Sequence, residues 1–195
     1  MTAGRLRAAF VAAAATWPVL LLAATWLAGR SHVSAIGSAV IIAVYAIGSA
    51  VCHQLPERSF HLWRAQMPVC ARCTGIYFGA VIGATAGALV RRAEALRHTR
   101  GSVPQGVRHA AQDHVATALT SIVAQGFSPA WVRAALSIAV APSLATVAFE
   151  WTTGIMPSHA IRAASGLVIG IVVAWLVVAA AAGHECDGDG GHRPD

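Results

Sequence analysis

Five stretches of this chain run for 16 to 21 residues without a single charge: 8–28, 33–51, 73–90, 134–149 and 163–182. A helix rises about 1.5 Å per residue, so roughly 20 apolar residues cross the hydrocarbon core of a bilayer. Backbone groups have no water to bond in that core, so each stretch must be helical there. The pattern predicts an all-α polytopic bundle of about five spans, with four as the fallback. The weakest span is 134–149, which is short and contains Pro142. Proline is tolerated inside membrane helices.

Composition supports this reading. Hydrophobic residues make up 56% of the chain and charged residues 11%, against roughly 25% charged in soluble domains. The net charge of +6 comes from arginine, since no lysine is present. The arginines flank apolar blocks, as in loops that anchor spans, and do not interleave with aromatics as nucleic-acid patches do. The expected partner is the lipid bilayer, the expected location an inner membrane, and no nucleic acid is implicated. Residues 1–183 read as one membrane domain. The first span resembles a signal core, but its apolar stretch exceeds the usual 7–15 residues, so a retained helix is expected. Residues 91–130 open with a basic run and read as a loop insertion. Val115, Leu119, Ile122 and Val123 recur there at helical spacing, fitting either a short surface helix or a poorly ordered insertion. The Gly- and Asp-rich tail 184–195 reads as disordered.

Gly75, Gly79, Gly83 and Gly87 recur every four residues and so form one ridge on the third span. Such ridges let helix backbones touch in lipid. The ridge fits packing against the second or fifth span, and alternatively a homodimer seam.

Chemistry concentrates between the second and third spans, in a polar Cys/His-rich loop or re-entrant segment. Cys70 and Cys73 form a CxxC pair, with Cys52 and His53 upstream. Four soft ligands are what a tetrahedral zinc or copper site needs, and His61 is a spare. Adjacent Cys52 and His53 are poorly placed to share one ion. The rival chemistry is thiol–disulfide exchange by Cys70 and Cys73, since nearby cations such as Arg72 and Arg58 favour thiolates. A third reading is buried thiols in a non-catalytic scaffold, so whether the chain is an enzyme stays open. Pro56 and Glu57 resemble a helix start, giving a short helix over 56–65, with Glu57 expected to pair with an arginine. A second island carries Glu150, His159 and Arg162. With alternating spans it falls on the same membrane side and either completes a pocket or is an ordinary interfacial loop.

The segments CHQLPERSFHLW at 52–63 and MPVCARCTGIYFG at 67–79 resemble a bacterial integral-membrane family known as domain of unknown function 2085. The stretch from Glu150 to Gly170 is similar to that family's looser second block. The resemblance implies a multi-span membrane protein with a Cys/His-rich island and implies no activity. Counting five alternating spans, six arginines fall on the N-terminal side and eight on the other. That asymmetry is too small for the positive-inside rule to orient the chain.

Overall fold

The computed structural model describes residues 3–100 and 128–183. Its elements, in order, are helix α1 (Ala3–Ala28), helix α2 (Ala35–Val51), a 3-10 turn (Pro56–Arg58), strands β1 (Ser59–Leu62) and β2 (Ala65–Cys70), and helices α3 (Ala71–Arg100), α4 (Pro129–Thr153) and α5 (His159–Gly183). The mostly helical membrane architecture is as expected, with one two-stranded hairpin that an all-α reading does not include. Among the described residues, four helices are long and apolar enough to cross a membrane: Gly4–Ala28, Ala71–Ala93, Ala130–Thr153 and His159–Ala180. α2, at 17 residues, falls short of them. The candidate spans among the described residues thus number four, the fallback count.

Contacts place both ends of α2 at the same end of the bundle. It starts beside Leu27, near the C-terminal end of α1. It then runs alongside β2, with Tyr45 bonded to Gln66, Gly48 against Pro68 and Cys52 against Cys70. It ends where α3 begins. The chain then returns to the end of α1 through the hairpin, whose tip residue Trp63 lies against Gly29. The far half of α1 meets the bundle instead: Trp17 sits edge-on to Tyr77 at 6.0 Å, and Phe10, Val11 and Ala14 pack around Ala84, Ala174 and Val178. So the N-terminus of α1 and the cysteine island lie at opposite ends. The expectation that they share a side, which rested on five alternating spans, is corrected.

The glycine ridge of α3 is covered by α5. A methyl group added at Gly75, Gly79 or Gly83 would meet the backbone carbonyl of Ala163, Leu167 or Ile171 at 1.9, 2.2 or 2.1 Å. Gly166 and Gly170 reciprocate against the carbonyls of Arg72 and Ile76. The partners rise together in number, so α3 and α5 run parallel with their N-termini at the same end. α4 runs antiparallel to α5, pairing Trp131 with Trp175 at one end and Glu150 with Arg162 at the other. It continues unbroken through Pro142. Ser128 caps its start by accepting from the Trp131 N–H, and Gly154 ends it at φ +67°.

Two further expectations are corrected. Residues 56–65 form a single 3-10 turn and then an antiparallel hairpin, with His61 opposite Gln66 and Leu62 opposite Ala65. Trp63 and Arg64 have φ of 49° and 68°, the backbone sign that a two-residue hairpin turn requires. The basic run from Arg91 does not open a loop; it extends α3 to Arg100. The helical spacing at 115–123 and the tail with Cys186 lie outside the described residues.

Candidate functional site

Cys52 follows the last turn of α2, Cys70 ends β2, and Cys73 lies in the first turn of α3. Three different elements thus bring their sulfurs within 4.8 Å of one another. The backbone holds this junction through amide side chains. Gln54 Nε2 donates to the carbonyls of Tyr45 (2.9 Å) and Pro68 (2.7 Å), and Gln66 Nε2 donates to the Gln54 carbonyl at 2.6 Å. The Tyr45 hydroxyl donates to the Gln66 carbonyl. Gln54 itself sits at φ 50°, an unusual position for a non-glycine residue. A side chain at Gly48 would strike the Pro68 carbonyl at 2.4 Å, so glycine there lets α2 press against β2. Leu21, Ala24, Val44, Met67 and Val69 form the apolar floor beneath the thiols. Gln54, Gln66 and Tyr45 have no ligand chemistry of their own. Only their nearness in sequence to the cysteines could have flagged them.

The cysteines are not equivalent. Cys52 is buried, and its sulfur accepts the Cys70 N–H at 3.2 Å. Cys70 stands immediately before α3, where unpaired N–H groups and the helix dipole favour an anion. Its thiol is held down to about 5, first by hydrogen bonding from the Cys73 thiol and then by the N–H groups of Cys73 and Arg72, which together outweigh burial. Thr74 anchors the same turn by donating to the Cys70 carbonyl at 3.1 Å.

His53 does not join the cluster. The chain is extended at Cys52 (φ −146°, ψ 138°), so consecutive side chains point to opposite faces. Cys52 turns inward and His53 is exposed. His61 is likewise exposed on β1. Within the described residues the ligand group is three sulfurs and no histidine.

The second island does meet the first. Arg58 Nη2 donates to Glu150 Oε1 at 2.6 Å, and Arg162 Nη2 lies 3.4 Å from Glu150 Oε2. Arg72 Nη2 donates to Thr146 Oγ1 at 2.9 Å. His159 stacks at a tilt on Phe60, with ring centres 5.5 Å apart, and its Nε2 lies 3.2 Å from the Glu57 carbonyl oxygen. Among the described residues Glu57 forms no ion pair; the acid that meets Arg58 is Glu150. Two groupings therefore occupy one end of the bundle: three thiols against α1 and α2, and three arginines gathered on α4.

Fold and site together define a helical membrane protein with a thiol cluster at one end of its bundle. The chain belongs to the DUF2085 family of predicted membrane proteins, whose model matches residues 52–176. It is 50% identical over 44 residues to an uncharacterized protein of Methanocaldococcus jannaschii, covering 23% of this chain and 28% of that protein. It is 57% identical over 30 residues to an uncharacterized protein of Methanothermobacter thermautotrophicus, covering 15% of this chain and 27% of the other. Both relatives are archaeal, whereas the sequence motifs suggest a bacterial family. The matched segments span under a third of either relative. No solved structure matches the chain.

Proposed function

We propose that Cys52, Cys70 and Cys73 bind one soft metal ion, zinc or copper(I), at the membrane face. The observation that carries this reading is the convergence of three sulfurs within 4.8 Å, from three elements locked by Gln54 and Gln66. Thiolates select such ions, and three protein ligands leave one zinc position for an outside ligand. Purified protein is expected to carry about one zinc or copper ion per chain. Cys70→Ser or Cys73→Ser should abolish it, while His53→Ala should leave it. Ligands bind deprotonated, so affinity falls as the pH drops, and it falls more steeply below about 5, where Cys70 itself takes up a proton. Metal absent at neutral pH overturns this reading.

A second reading rests on the place of Cys70 at the start of α3, where a thiolate is stabilised for attack. In this reading the Cys70 thiolate attacks a partner disulfide and releases one partner thiolate. Cys73, after losing its proton, then displaces the second. The partner gains two electrons and this chain is left with a disulfide. Thiol trapping in living cells separates the two chemistries. A Cys70–Cys73 disulfide that forms and clears favours exchange, and metal-bound, constantly reduced thiols favour the ion.

We also infer that the cluster faces away from the cytoplasm. With the four spans as placed, seven described arginines (Arg5, Arg7, Arg91, Arg92, Arg97, Arg100, Arg133) lie at the end opposite the cysteines. Five lie at the cysteine end, and three of these are tied up with Glu150 and Thr146, while at the opposite end Arg91 is bonded to the Ala179 carbonyl; setting these engaged arginines aside makes the asymmetry wider than the six-to-eight count of the sequence. Arginine-rich ends stay cytoplasmic. In intact cells Arg64→Cys should react with an impermeant maleimide beyond the wild-type background, whereas Arg92→Cys should not. The reverse pattern would invert the orientation.

A further inference from the structure

The arginine group at this end carries more positive charge and more donors than the protein satisfies. Thr146 and Glu150 lie one turn apart on α4, and Ser143 lies on the same face a turn earlier. Arg72 reaches this face from α3, Arg58 from the 3-10 turn and Arg162 from α5. Three guanidinium groups thus converge on a short strip of one helix, with a single carboxylate among them. Two positive charges are left over.

The donors are equally unbalanced. Arg162 is 3% exposed, yet its Nε and Nη1 have no hydrogen-bond partner among the described residues. The Nε atoms of Arg58 and Arg72 and the Ser143 hydroxyl are also buried and have no partner among the described residues. A buried donor left unmade is costly, and more so when charged, so a cluster of them points to a ligand that completes it. Ionisable side chains at membrane depth commonly mark binding sites.

We propose that Arg58, Arg72 and Arg162, with Ser143, bind a phosphoryl oxyanion, carried by an anionic lipid headgroup or by a free phosphate. Guanidinium forks match phosphate oxygens in geometry and charge. Glu150 takes one Nη2 from each of Arg58 and Arg162 and so leaves their Nε atoms for the anion. Thr146 does the same for Arg72. The site is independent of the sulfur chemistry, because the three thiols take no part in it.

The test uses the full chain. Equilibrium dialysis with labelled inorganic phosphate in a non-ionic detergent probes the free anion. Native mass spectrometry from nanodiscs of mixed phosphatidylglycerol and phosphatidylcholine probes the headgroup. Saturable phosphate binding near one per chain assigns a free phosphate. Selective retention of one phosphatidylglycerol without phosphate binding assigns the lipid. In either case Arg72→Gln should weaken binding at least about tenfold, the loss expected for one charge-assisted hydrogen bond, while Arg92→Gln at the opposite end should not. Should Arg162→Gln fail to fold, Arg72→Gln and Arg58→Gln carry the test. Retention of neither probe, or equal retention by Arg72→Gln, overturns the proposal.

Discussion

Gly79→Leu is expected to destabilise the detergent-solubilised protein by about 3 kcal/mol or more, seen as a large drop in melting temperature or as loss of folded material. The first side-chain carbon alone would lie 2.2 Å from the Leu167 carbonyl oxygen and 3.0 Å from the Ile171 nitrogen. Both are backbone atoms of α5 and cannot rotate aside. Relief requires the helices to separate, which would also break the neighbouring contacts at Gly75, Gly83, Gly166 and Gly170. Leucine does improve helix propensity over glycine, by about 1 kcal/mol, but that gain is smaller than the expected clash. Ile82, 48% exposed on the same helix, supplies the control. Ile82→Leu should stay within about 0.5 kcal/mol of the parent. Equal melting of the two variants would show that close approach of α3 and α5 contributes little to stability.

The ridge was legible because lipid leaves a helix few ways to associate. Four glycines in register therefore point to a backbone contact even before its partner is known. The partner was not legible, since the second and fifth spans both offered apolar faces. α2 shows where apolarity misleads. Its 17 residues are uncharged, yet they pack beside β2, where Gly48 seats on Pro68 and Cys52 meets Cys70, and both its ends lie at one end of the bundle. That one misread helix inverted the parity of everything before it, placing the N-terminus and the cysteines together. The hairpin was hidden for a different reason. Its turn is Trp63-Arg64, with none of the glycine or asparagine that signals positive φ. Pro56 and Glu57 meanwhile imitate the start of a longer helix. At the site, the three cysteines were legible by type and clustering. The exclusion of His53 followed from backbone geometry at Cys52, which spacing alone hinted at and did not decide. The convergence of Glu150 with Arg58 and Arg162 came from assigning both islands to one side, a relation that survives the change in span count because the two islands are separated by two true crossings.

Glu150→Gln should be the most damaging change among the charged groups at this end, because of what it leaves behind. Arg162 has a side chain 4% exposed, and Glu150 is the one carboxylate it contacts among the described residues. Removing one partner of a buried pair strands a charge that water cannot reach, typically at a cost of about 3–5 kcal/mol. Arg58, with 41% of its side chain exposed, can return its charge to solvent, so Arg58→Gln should cost about 1 kcal/mol or less. The pair itself need not be stabilising. Burying two ions is expensive, and well-packed apolar replacements for a buried pair are often neutral. The double variant Glu150→Met, Arg162→Met should therefore recover much of the stability that Glu150→Gln loses. Thermal melts of the three variants decide the matter. If the double variant is as damaged as Glu150→Gln, the cost lies in lost geometry at this end of the bundle and not in an unpaired buried charge.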